Sequence, residues 1–518
     1  MPLGHQSADP SAPKSLLLIG LLKSASHGSK RKLRRRILLI SGSDRPLCAE
    51  MLHKTAHSCI IRGMLLRFQC KNFRSFRDEQ TISLVAARTR SDERDETLIE
   101  TPIKGVSGLR CAAIYGANAS GKTNLLKAMS SFRGTISASQ KNWDETDAIP
   151  TYEPFLLEEE TKRGETEYEA DVLIDNTRYQ YGFCCNRDTV TREWLVEFGT
   201  RDRTLFRRRT DQDKVRVDFP GRNLTGSILE NIKQLTRRNS LFLSAAAQNN
   251  FEPLKRIHAW FTERFRVVSP DDRGLASQTN SMFKEGKFSE NIRLMIRSAD
   301  VGVTDIEVIE EEYPEPTKKY IKAFLGVMKE SSSTTEPFEE PSSFTHLTAR
   351  LKHKGAHGEI YTFDKDDESA GTLRFFAMLG PILTELQDGT VLLIDEIESS
   401  LHPLLVRALV EMVNSKTTNP KGAQVIFTTH SPDLLGAGLL RRDQVWFTEK
   451  GEDGVSSIYP LSDFKPRKDQ NLAAGYLHGR FGAVPFLDFP NIWSLLSVDP
   501  REDAKVGGLN SEEQQIAP

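Results

Sequence analysis

Three short runs, far apart in the chain, hold the residues best suited to chemistry. The first is Gly116-Ala117-Asn118-Ala119-Ser120-Gly121-Lys122-Thr123, which fits G-x-x-x-x-G-K-[ST]. Between a strand and a helix, such a run curls backbone N–H groups around phosphate oxygens at the helix N-terminus. Lys122 would set a cation on the β- and γ-phosphates, and Thr123 would offer its hydroxyl to Mg²⁺. The second run, Val391-Leu392-Leu393-Ile394-Asp395-Glu396, is apolar and ends in two carboxylates. Asp395 suits Mg²⁺ held through its water shell, and Glu396 suits a general base that polarises an attacking water. The third run, Gln424 to Ser431, is an apolar strand that delivers His430. At the C-terminal end of a parallel strand, that imidazole would face a nucleotide crevice and sense the γ-phosphate. Each run has a plainer reading taken singly: a chance loop, a buried strand capped by solvated acids, a core histidine. Together they describe one centre for binding and cleaving a nucleoside triphosphate.

The elements that must position these residues can be read from patterning. The stretch from Met64 alternates apolar and polar residues like a first strand, and 80–85 reads as a second. Residues 110–115 form a short buried strand running into the glycine-rich turn, and 122–132 a helix. Strands at 168–174 and 178–184 are joined by Asp175-Asn176, a good hairpin turn. Further strands are expected at 191–198 and 204–209. Helical spacing begins near 226, and a polar stretch rich in Ser, Thr, Glu and Pro covers 329–343. A helix at 370–386 precedes the strand 391–395, and a helix at 403–413 separates it from the strand 423–428.

The composition excludes several classes. With 38% hydrophobic and 27% charged residues in 518, the chain resembles an ordinary globular protein, with room for about three domains or one elaborated one. Six scattered cysteines do not make a disulfide framework, and Cys184-Cys185 without a His/Cys cluster does not make a zinc site. No run of about 18 uncharged apolar residues predicts a membrane helix, and a cytoplasmic location is expected. The net charge of -1 hides an asymmetry: residues 1–63 carry eleven basic and three acidic side chains, +8, which leaves -9 for the remainder. Three readings of this leader stand open: a start assigned upstream of Met64, a disordered basic arm, or a targeting peptide.

The motifs carry a family resemblance. The chain resembles ABC-type ATPases of the SMC/RecF kind. Asn72-Phe73-Arg74-Ser75-Phe76 after the first strand is similar to that group's N-terminal signature. Glu398-Ser399-Ser400-Leu401-His402-Pro403 resembles its D-loop, and His430 stands at its switch position. Glu368-Ser369-Ala370-Gly371-Thr372 stands where that group has its Ser-x-Gly signature, without the usual Leu and second Gly; a simple helix cap is the alternative. The group's Gln past the phosphate loop has no counterpart in 141–179, and neither flanking Gln140 nor Gln180 is favoured. Softer motifs are Tyr181-Gly182-Phe183, Glu193-Trp194-Leu195, Asn239 to Ser244, and Tyr476 to Pro485. They are similar to stand-alone prokaryotic ATPases of anti-phage systems, of the RloA/AbiL-like and PARIS AriA-like kinds.

The expected fold class is α/β, a P-loop NTPase of ABC/SMC-head type with an N-terminal antiparallel β-subdomain and a compact helical insertion. The expected layout is a leader (1–63), a first ATPase lobe (64–225), the helical insertion (226–345), a second lobe (346–450) and a C-terminal extension (451–518). Prolines and the lack of heptads exclude a long coiled-coil arm. The resemblance implies catalysis by Glu396 and His430 and Mg²⁺ on Thr123 and Asp395. It implies ATP contacts from Gly116, Asn118, Ser120, Gly121, Lys122, Thr123, Asn124, Arg74, Ser369 and Gly371. It also implies an ATP-sandwich homodimer, because the signature loop needs a second nucleotide site to face, and a separately encoded effector nuclease. Three functions compete: a sensor ATPase of phage defence, a RecF-like DNA-repair ATPase, and a nucleotide-binding module with negligible turnover. The acidic remainder counts modestly against DNA.

Overall fold

The computed structural model describes residues 63–485 except 88–95, 213, 222–223, 269–273, 300–301, 332–342, 437 and 468–469. The basic leader, most of the polar stretch at 329–343, and 486–518 therefore lie outside the described residues. Two sheets dominate. The larger is antiparallel and built from β1 (Gly63–Lys71), β2 (Gln80–Ser83), β6 (Thr166–Ile174), β7 (Thr177–Cys185), β8 (Val190–Phe198), β9 (Arg203–Asp211) and β10 (Lys214–Asp218), in the order β10-β9-β8-β7-β6-β1-β2. β6 and β7 turn at Asp175 and Asn176, whose φ values of 42° and 70° are both left-handed, as the expected tight hairpin requires. A small ribbon pairs β3 (Leu98–Glu100) with β4 (Ser107–Leu109).

The second sheet carries the glycine-rich turn and the two carboxylates. Its strands are β5 (Cys111–Gly116), β11 (Phe265–Val268), β15 (Val391–Ile394), β16 (Gln424–Thr428), β17 (Val445–Lys450) and β18 (Ser456–Pro460), in the order β11-β15-β16-β5-β17-β18. All pairings are parallel except β17 with β18. β5, β15 and β16 are buried at every position, as expected of parallel strands covered on both faces. Alternate residues serve two cores. Ala112, Ile114, Leu393 and Ile426 face the antiparallel sheet across helix α1 (Lys122–Ala138). Ala113, Tyr115, Leu392 and Phe427 face a helical layer. That layer holds α2 (Gly274–Lys284), α3 (Ser289–Ser298), α4 (Ala370–Asp388) and α5 (Pro403–Asn414). α1 buries Leu125, Met129, Phe132 and Ile136 on one stripe, and Phe132 stacks on Phe183 at 5.6 Å.

The segment 226–345, expected as a compact helical insertion, also contains strands. Helices Ser227–Leu235, Phe242–Gln248 and Glu252–Glu263 begin it. It then supplies β11, the edge of the parallel sheet, and β12 (Val303–Glu312), which pairs with β13 (Thr345–Lys354) beside β14 (Ile360–Phe363). The pairing of β12 with β13 crosses the expected boundary at 345. β11 has four residues, Phe265-Arg266-Val267-Val268, too few for strand periodicity to stand apart from the preceding helix.

The softer sequence motifs have structural work. Glu193 accepts hydrogen bonds from the Tyr181 hydroxyl (2.9 Å) and from the N–H groups of Phe242 (2.7 Å) and Leu243 (3.0 Å), which caps that helix. Asn239 ties the same turn to the carbonyls of Asp144 and Asp147. Tyr476 packs on Tyr115 at 5.4 Å and Phe481 on Phe447 at 5.7 Å, so the C-terminal motif closes the core behind the glycine-rich turn.

Candidate nucleotide site

The site forms where strand register brings three C-terminal ends level. Ile394 pairs with Phe427, and Thr428 pairs with Ile114. Asp395, Thr428 and the turn after Tyr115 therefore emerge side by side. The turn needs its glycines. A Cβ on Gly116 would lie 2.4 Å from Thr448 Oγ1 and 2.5 Å from Ser120 Oγ, and Gly121 has a left-handed φ of 117°.

Each expected residue has a definite place. Lys122, at the start of α1, folds its Nζ onto the carbonyls of Gly116 and Ala117, both at 2.9 Å. Burial lowers its pKa to about 8, against the opposing charges of Asp395, Glu396 and Glu398. The Thr123 hydroxyl donates to Asp395 Oδ2 at 2.9 Å across 272 residues of sequence. Asp395 Oδ1 also accepts from the Thr428 hydroxyl at 2.6 Å, and that hydroxyl in turn accepts from the Glu396 N–H at 2.7 Å. Glu396 is exposed, with a left-handed φ of 48°. Non-glycine residues hold such a conformation only where the surroundings enforce it. His430 is half-buried; burial first, then the nearby Lys122 charge, lower its pKa, which favours the neutral ring. Its backbone N–H is held by the Glu398 carboxylate.

Other expected contacts are already engaged. Ser120 Oγ bonds Thr448 Oγ1 at 2.6 Å, and Asn124 donates to Ser75 Oγ at 2.8 Å. Arg74 is ion-paired with Glu153 and has a φ of 50°. Arg74 and Ser75 belong to one tight turn, and Ser75 Oγ would lie 3.3 Å from a Cβ on Gly121. The turn thus buttresses the loop, and Asn118 stands exposed at its tip. Ser369 caps α4, its Oγ accepting from Thr372 N at 3.1 Å. Gly371 touches the segment after Glu396: a Cβ there would lie 2.6 Å from the Ser400 carbonyl. Gln140 and Gln180 serve elsewhere, Gln140 on Leu235 and Ser240, Gln180 on Glu169 and Asp171.

Thr428 joins the site although spacing alone assigns it no role: only the register of β16 against β15 brings it to Asp395, because a threonine at a strand end carries no signal of its own. Glu398, which opens the D-loop-like run, meets the His430 N–H. The donor set suits a magnesium nucleotide: one lysine and a nest of loop N–H groups for phosphate, and a hydroxyl and a carboxylate in contact for a hard cation. Among the described residues no group of three or more His, Cys, Asp and Glu side chains could hold a metal by itself, and no helix is long and apolar enough to cross a membrane.

Residues 111–436 match the family described as "AAA domain, putative AbiEii toxin, Type IV TA system". No curated protein matches the chain. Two similar solved structures are the SMC head domain from Thermotoga maritima and the recombination mediator protein RecF-ATPrS in the RecFOR pathway. The first is 14% identical with a TM-score of 0.34, covering 76% of this chain and 98% of its own. The second is 15% identical with a TM-score of 0.26, covering 77% and 98%. The family match spans the glycine-rich loop, both carboxylates and the switch histidine, so the chain belongs to this AAA-domain family and has its α/β P-loop NTPase fold.

Proposed function

We propose that the protein is an ABC-type, SMC/RecF-like ATPase that binds ATP with Mg²⁺, hydrolyses it and uses the cycle to close and open a homodimer. The observation that carries the reading is the contact between Thr123 and Asp395, which joins the two halves of the site with the geometry of a cation seat. When bound there, Mg²⁺ supplies neutralisation of charge on the β- and γ-phosphates. The chain's own residues do the rest. Lys122 leaves the loop carbonyls for phosphate, Thr428 orients Asp395 and fixes the Glu396 backbone, and exposed Glu396 takes the proton of the attacking water. Neutral His430 can donate to a γ-phosphate without adding charge. A switch controlling a separately encoded effector in phage defence is supported by the family description, which names a toxin–antitoxin system. Steady-state phosphate release tests the catalytic claim. Glu396→Gln should lower turnover at least about a hundredfold, within the usual worth of a general base, while ATP still binds; Lys122→Ala should lose binding. Wild-type turnover in Glu396→Gln would remove the base assignment.

A second reading, nucleic-acid binding, is favoured by one surface. Arg192, Arg209 and Arg216 stand directly opposite one another on β8, β9 and β10 and are all exposed. Like charges in register oppose strand pairing. Arg192 has Glu165 and Glu167, but among the described residues no carboxylate pairs with Arg207, Arg209 or Arg216. Replacing Arg209 and Arg216 together with Ala should remove about two units from the salt slope of DNA binding if this face tracks a phosphate backbone. An unchanged slope would withdraw the reading.

A further inference from the structure

A cleft of about 920 Å³, with no residue of the glycine-rich loop in its lining, opens beside Leu435 and Gly436, the turn at Arg442–Gln444 and the start of the short helix Leu472–Leu477. Leu435, Leu440 and Leu472 form apolar wall, and Arg442, Lys465 and Arg467 bring three cations to it. Among the described residues none of the three has a carboxylate within ion-pair distance. The one acid among the described lining residues, Asp443, is held by Arg441 at 2.9 Å and by Ala87 N at 2.8 Å. Gln470 Nε2, also in the lining, is buried with no hydrogen-bond partner. A concave apolar wall, unneutralised cations and an orphaned amide donor together ask for a ligand that is anionic, partly apolar and rich in acceptors.

We propose that this cleft is a second, regulatory site for a phosphorylated nucleotide. The phosphate would sit on Arg442, Lys465 and Arg467, the base against the leucines, and an acceptor of the base or sugar on Gln470. The volume falls within the span of about 300–1,000 Å³ usual for small-ligand sites, large enough for a mononucleotide. Leu435 and Gly436 follow His430 by five and six residues. Occupancy of the cleft therefore bears on the segment that carries the switch histidine, and any effect on ATP affinity must be returned in kind.

The coupling rests on the reading of the ATP site; the binding does not. The test uses the full-length Lys122→Ala chain, so that the glycine-rich loop does not contribute. It is titrated by calorimetry at low salt with AMP, GMP, CMP, UMP and inorganic pyrophosphate, and with an octaglutamate peptide as a control. At least one mononucleotide should bind with Kd below about 1 mM, and Arg442→Ala and Arg467→Ala, both on the accessible wall, should each weaken it about tenfold. Gln470→Leu should weaken the mononucleotide but not pyrophosphate. The proposal is overturned if no mononucleotide binds at about 10 mM, if the arginine variants bind as before, or if only pyrophosphate or the acidic peptide binds. Loss of ATP binding from the wild-type chain would instead strike the ATP-site reading and leave this result standing.

Discussion

Lys122 shows how a residue readable from spacing acquires a property that spacing does not give. Its place in G-x-x-x-x-G-K-T announces a phosphate ligand, but only burial beneath the loop lowers its pKa to about 8. This sets the sign of the pH dependence. Free lysine loses its proton as pH rises through that value, whereas a phosphate beside it raises its pKa, so binding takes up a proton above pH 8. ATP affinity should be flat from pH 7 to about 8 and then fall, approaching tenfold per unit by pH 9 to 10. Affinity constant to pH 10 would show that Lys122 does not carry the charge that ATP meets. Asp395 and Glu396 were readable only in company: two carboxylates ending an apolar strand are equally a buried strand capped by solvated acids until the glycine-rich loop stands beside them. Thr428 was not readable, since its role is set by the strand beside it. Asn124 and Arg74, whose motif positions also suggest ATP contacts, bond Ser75 and Glu153.

At the scale of elements, the hairpin at Asp175-Asn176, the buried strands β5, β15 and β16 and the helices beside them were readable from alternation, unbroken apolar runs and turn chemistry. β13 and β14 lie almost wholly within 346–364, which patterning reads as strands, but the edge strand β11 and the strand β12 were not readable. Both are assembled by pairing across long gaps: β11 meets β15 more than 120 residues on. The start of α4 has a consequence for the site. Gly371 lets the helix approach the Ser400 carbonyl, and Ser400 itself holds a left-handed φ of 61°. A methyl group at 371 would meet that carbonyl at 2.6 Å and push the loop that begins at Glu396. Gly371→Ala should therefore leave ATP binding to the glycine-rich loop intact while lowering hydrolysis about tenfold, the effect of roughly 1.4 kcal/mol of misplacement. Fluorescent-nucleotide titration and phosphate release read the two separately. If binding fell in step with turnover, Gly371 would be acting through the stability of the fold.

At the scale of the molecule, the question is what completes the site. Within one chain Ser369 Oγ serves its own helix, and Glu396 and Asn118 lie open to solvent. Just before Ser369, β14 exposes Ile360 and Tyr361 at 56% and 53% of their surface, an apolar edge next to the helix start. An edge strand left in this state invites a partner. A second copy whose α4 start met the first copy's phosphate would cover these residues and bring Ser369 to the nucleotide. Closure then depends on contacts made only with ATP in place, and moving a population from 1:99 to 99:1 needs about 10⁴-fold preference for the closed form. On the proposed cycle hydrolysis continually withdraws that preference, so the wild type should show a mixture. Glu396→Gln would remove the proposed base and spare the proposed phosphate contacts. With ATP and Mg²⁺ it should elute in light scattering as a species of twice 58.3 kDa, and without nucleotide at 58.3 kDa. The double variant Lys122→Ala, Glu396→Gln should stay at the lower mass in both conditions. A mass for Glu396→Gln unaffected by ATP, with nucleotide shown to be bound, would mean that the site works within one chain and that the exposed β14 edge serves a different partner.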